Sequence, residues 1–254
     1  MKDRLRDISV IGSVIFFMVV IPIYIYLRLY VALDNKQVVY CLSDAYIYEQ
    51  LTAVWLIFPV MGIVYINALK HDFSINQIIR RGNLKRIWVN LIKDIFVTSL
   101  LAGVYIFVWT TIWGLLLTDK VQCNWNTLDS NAYYTLRIQV DTFVDFRVMM
   151  VVSFVVTFLM LFCIGLFIVI TWWVFNTPVV GYMTMVALMM VELTISPAPI
   201  VIFFAKIIGS FYDTYLYYNG LDYFSTCVYP ALFAIGLIVL GFILIRRKDF
   251  LKKE

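Results

Sequence analysis

Chemistry-bearing residues are scarce in this chain. Of 254 residues one is histidine, His71, and four are cysteine; Cys41, Cys123, Cys163 and Cys227 include no CxxC spacing, so zinc-type ligand sets are missing. The dipeptide Gly-Lys never occurs, which excludes the P-loop that holds phosphates in a nucleotide-hydrolysing chain. One histidine excludes HExxH, and no GxSxG sets a serine nucleophile on an exposed elbow. Charge is also short: Asp, Glu, Lys and Arg make up 14% of the residues, against about a quarter in a soluble domain. The chain is therefore not expected to be an enzyme or to bind a metal or cofactor of its own.

What is present in quantity is apolar. Hydrophobic residues make up 63% of the chain, mean hydropathy is +0.90, and the charges cluster between long uncharged runs. Crossing about 30 Å of hydrocarbon takes about 20 largely apolar residues as a helix. Five uncharged runs reach that length: Ile8 to Leu27, Gln50 to Leu69, Ile95 to Leu117, Val148 to Val191 and Tyr223 to Ile245. The fourth is long enough for two crossings, and Asn176-Thr177-Pro178 is the place to turn between them. The fold expected is all-α, a single bundle of six transmembrane helices over about 8–31, 50–69, 90–117, 148–171, 178–195 and 226–245. A cleaved leader is disfavoured for the first run, because Tyr24, Tyr26, Arg28 and Tyr30 end it as an aromatic anchor rather than a small-residue cleavage site.

Cations set the orientation, since cytoplasmic flanks retain Lys and Arg during insertion. With the N-terminus inside, fourteen of the twenty cations fall on cytoplasmic segments, while ten of the sixteen acids fall outside. Both termini are then cytoplasmic, and the +4 net charge records topology and gives no reason to invoke nucleic acid. Cys41, Cys123 and Cys227 map to the outer side, where a disulfide between two of them is open but the pair is not defined. Glu192 is the only acid expected inside the outer half of a span.

The longest cytoplasmic connection, KHDFSINQIIRRGNLKRIWVNLIK from Lys70 to Lys93, reads as more than a linker. Phe73, Ile75, Ile78 and Ile79 give a short apolar-bearing helix over about 72–82. Arg80 and Arg81 stand in its last turn, where the helix dipole favours cations, and Gly82 stops it. An interfacial helix obeying the positive-inside rule explains the same residues without function.

The run QIIRRGNLKRIWVNLIKD between the second and third spans resembles the coupling-helix region of type-2 ABC exporter permeases, and the ending GFILIRRKDFLKKE resembles the ends of those permeases. The nearest likeness is to small Gram-positive permeases that handle bacteriocins, lantibiotics or amphipathic toxin peptides. The resemblance implies a bacterial cell-membrane subunit that faces a second permease chain, the same or related, and works with separate ATPase subunits, which hold the ATP and Mg. It makes Phe73, Ile75, Ile78, Ile79, Arg80, Arg81 and Gly82 the ATPase-docking residues, with a hydrophobic or amphipathic peptide as the first expectation for cargo. It also implies a re-entrant outer hairpin before the last span, matched by the interrupted apolar segment at about 196–222, where Pro197, Pro199 and Gly209 break the helix and Lys206 and Asp213 charge it. Glu192, Lys206 and Asp213 become candidates for a cargo route or outer gate; Glu192 paired with Lys206 is the plainer reading. The alternative function is a non-transporting membrane sensor, immunity or scaffold protein that binds its ligand through the outer loops 33–49 and 118–147.

Overall fold

The computed structural model describes residues 2–27, 29, 38–52, 56–69, 84–136, 145–194 and 223–247, and the regular structure among them is entirely helical. In chain order the helices are α1 (Lys2–Tyr26), α2 (Leu42–Thr52), α3 (Phe58–Leu69), α4 (Leu84–Leu117), α5 (Asn131–Leu136), α6 (Phe146–Phe175), α7 (Pro178–Thr194) and α8 (Tyr223–Arg247).

Two of them, α4 and α6, have the length and apolarity to cross a membrane. They differ in role. Helix α6 is apolar all round and buried along most of its length, packing against α2, α3, α4, α7 and α8 as the axis of the molecule. Helix α4 is more exposed, holding one face against α1, α2, α6 and α8. Shorter apolar stretches run Ile11–Tyr26, Phe58–Leu69, Pro178–Ala187 and Pro230–Ile245.

Local chemistry explains the helix ends. Asp145 caps α6, its backbone extended and its carboxylate accepting from the Arg147 N–H at 2.9 Å. The α6–α7 turn falls at Asn176-Thr177-Pro178: Asn176 ends α6 in the left-handed region at φ 59°, and Pro178 opens α7, where its missing N–H costs nothing. Helix α4 starts at Leu84 rather than near residue 90, because Lys85, Arg86, Lys93 and Asp94 bound an apolar run without breaking a helix. Inside α1, Pro22 cannot donate to the carbonyl of Met18, and that carbonyl instead accepts from the Trp109 indole N–H of α4 at 3.0 Å. One turn earlier, the Tyr105 hydroxyl donates to the Val14 carbonyl at 3.1 Å, so two aromatic side chains tie α4 to α1.

The largest departure from the sequence reading is on the segment before residue 50. Residues 42–49, assigned above to an outer loop, form most of α2, which packs against α1, α4 and α6. Within the segment 118–147, also assigned above to an outer loop, Asn131–Leu136 form the short helix α5.

Candidate functional site

Two arrangements hold polar side chains where packing encloses them. The first is a cap built from residues 38–47 and 118–134. The two segments exchange main-chain hydrogen bonds: Val39 N–H to Asp129 O at 2.8 Å, Leu42 N–H to Lys120 O at 2.9 Å, and both the Asp119 and Lys120 N–H groups to Tyr40 O. Side chains extend the pairing, with Asn124 Nδ2 donating to Val39 O at 2.9 Å and Tyr40 N–H to Asp119 Oδ2 at 3.1 Å.

Asp44 lies at the centre of this cap and is fully buried. As the third residue of α2 it reaches back to the residue before the helix, its Oδ2 accepting from the Cys41 N–H at 2.8 Å. Its Oδ1 accepts from Trp125 Nε1 at 2.9 Å and Asn131 Nδ2 at 3.3 Å, so one carboxylate joins both segments of the cap. Burial pushes the Asp44 carboxyl up from the usual range, against the downward pull of these donors. Beside it, Cys41 and Cys123 share a small apolar cluster with Ile47, Trp125, Ala132 and Met149. Burial pushes the Cys41 thiol well up, with the adjacent Cys123 thiol and the Asp44 charge adding to the shift. Cys227 lies elsewhere, at the start of α8 against the main core.

One turn and a half further along α2, Glu49 is only 2% exposed. Thr157 on α6 is its neighbouring polar side chain. Glu49 Oε1, the Thr157 hydroxyl and the Ser153 hydroxyl, one turn earlier on α6, make no well-formed hydrogen bond among the described residues. The sequence places one acid, Glu192, inside the outer half of a span. Glu49 is an additional enclosed acid, standing one residue before the uncharged run that begins at Gln50. The available signal was local: an acid three residues past a helix start at Asp44, followed by the Tyr46-Ile47-Tyr48 stretch, reads as a buried helix rather than an outer loop.

The second arrangement is at the start of α4. Lys85 and Arg86 are exposed there, while Trp88 is fully buried between α6 and α8. Its indole Nε1 donates to the Ile238 carbonyl at 3.1 Å, and its ring packs on Trp173 (centroids 4.9 Å apart) and Phe242 (6.3 Å). Gly241 on α8 permits that approach, since a Cβ there would run into the Trp88 ring. Trp88 is thus the bolt between the entry of α4 and the last helix.

The docking residues Phe73, Ile75, Ile78, Ile79, Arg80, Arg81 and Gly82, and the gate candidates Lys206 and Asp213, lie outside the described residues. Glu192 falls in the final turn of α7, where the backbone alone is described. Comparison with protein-family models, with curated proteins and with solved structures returns no match.

Proposed function

We propose that this chain is the membrane-spanning permease subunit of an ATP-driven exporter, a six-span protein with both termini in the cytoplasm that moves a hydrophobic or amphipathic cargo, peptide first, out of the cell. The ATPase is a separate subunit, and a second permease chain completes the route.

The observation that carries this reading is the junction at the start of α4. The segment 70–83, with its apolar residues and its Arg80-Arg81 pair, runs directly into a helix whose entry is cationic at Lys85 and Arg86 and then anchored at Trp88. A push on that segment meets a rigid lever, because Trp88 fastens the lever to α6 and α8. A transporter without a P-loop must take up the work of ATP hydrolysis through such a contact, and an apolar knob ringed by cations suits a partly acidic groove. The outward faces add support: Ile11, Ile15, Val19 and Ile23 of α1 and Leu101 and Leu116 of α4 are exposed, the surface expected of helices that face lipid.

The test is co-purification with an ATPase subunit encoded beside this chain. Replacing Ile78→Asp and Ile79→Asp together is expected to abolish the complex and ATP-dependent export while membrane insertion persists. Undiminished association of the double variant would remove the docking helix from the proposal.

A further inference from the structure

Sequence alone left three outer cysteines and no pairing among them. The structure separates Cys227 and brings the other two together. Cys41 and Cys123 lie in one buried cluster, near enough that the Cys123 side chain helps push the Cys41 thiol up. The backbone around them is fixed on both sides. Leu42 N–H bonds to Lys120 O at 2.9 Å and Asn124 Nδ2 to Val39 O at 2.9 Å, so the residue after Cys41 and the residue after Cys123 are each tied to the opposite segment. Both thiols are free in this structure, and both are enclosed, at 0% and 6% exposure.

We infer that Cys41 and Cys123 are joined by a structural disulfide that closes the cap between the α1–α2 connection and the segment following α4. The inference rests on the orientation in the proposed function, which puts the cap on the outer face, where thiols meet oxidants rather than the reducing cytoplasm. The reaction is thiol–disulfide exchange with an external disulfide, carried by an oxidoreductase or a small molecule. One cysteine thiolate attacks that disulfide, forming a mixed disulfide and releasing a thiolate. The second cysteine, deprotonated, then attacks the bonded cysteine sulfur and expels the other thiolate. The pair loses two electrons and two protons, and the oxidant leaves as two thiols. Because a buried thiol is a poor nucleophile and hard to reach, the bond forms before the cap closes over it and thereafter acts as a clamp rather than a switch. It closes a loop of about 80 residues, the long-loop regime in which a cross-link restricts the unfolded chain most.

The test uses the full chain in its native membrane. Cells are quenched and denatured in excess N-ethylmaleimide without reductant, and the digested protein is analysed by mass spectrometry. The expected result is a linked peptide pair containing Cys41 and Cys123, two hydrogens lighter than the separate thiol peptides, with Cys163 and Cys227 alkylated. Alkylation of Cys41 and Cys123 without prior reduction, or linkage of either to Cys227, overturns the inference. A second arm locates the cap: Leu128→Cys, at a position 60% exposed on it, is treated in intact cells with a membrane-impermeant maleimide. Labelling there with Cys41 and Cys123 found as thiols refutes the disulfide alone. Labelling that appears only after lysis, again with free thiols, refutes the orientation and the disulfide together.

Discussion

At the scale of single residues, Asp44 shows how one acid can hold two segments. Three donors converge on its carboxylate, from Cys41, Trp125 and Asn131, yet burial outweighs them and raises its proton affinity. An acid whose folded pKa exceeds its unfolded value of about 4 keeps its proton in the native state over an interval where the unfolded chain has lost it. Cap stability contributed by Asp44 is therefore fully present below about pH 4 and declines as pH rises through the folded value. Limited proteolysis of the cap across that interval is expected to show faster cleavage at the higher pH, and Asp44→Asn to flatten the slope. A slope of opposite sign would mean that the three donors, not burial, decide the protonation state. Asp44 falls in a stretch assigned from sequence to an outer loop, and its enclosure was not legible there, because Trp125 and Asn131 come from a segment more than 80 residues away.

At the scale of elements, the contact between α4 and α8 depends on a large ring seated against a glycine. Gly241→Ala puts a methyl group into the Trp88 indole, and an overpacked site of that kind costs about 1–3 kcal/mol. Gly236, five residues earlier on the same helix, has nothing within 4 Å of an added Cβ. Gly236→Ala is therefore expected to be neutral or to stabilise the helix by up to about 1 kcal/mol. Thermal denaturation in detergent separates the two variants, and equal melting temperatures would contradict the bolt. The sequence announced both helices through their uncharged runs and the α6–α7 turn through Asn176 and Pro178. It did not announce which aromatic residue seats against which glycine, because helix periodicity fixes the face of a residue but not the partner that face meets.

At the scale of the whole molecule, apolar residues fill the core and also cover much of the described surface. Enclosed polar groups such as Asp44, Glu49, Ser153 and Thr157 lie within, while Ile15, Leu101, Val151, Val179 and Leu232 are among the apolar residues exposed on the outside. A surface of that kind associates in water and is satisfied in lipid. After alkaline carbonate washing the protein is expected in the membrane pellet, and its release into the supernatant would defeat the six-span reading. Within such a bundle a carboxyl like Glu49 is costly to enclose, and residues of that kind in membrane proteins commonly line cavities or routes.

The sequence by itself determined the class of elements and where they turn, since both follow from short-range facts: runs of about 20 uncharged residues, a proline that opens a helix, an asparagine that tolerates positive φ. Only the tertiary structure decided that Cys41 faces Cys123, that Asp44 joins two distant segments, that Glu49 is sealed against α6, and that Trp88 fastens the entry of α4 to the last helix. Each of these is a meeting between residues far apart in the chain, and such meetings are selected by the packing of whole helices rather than by any local pattern.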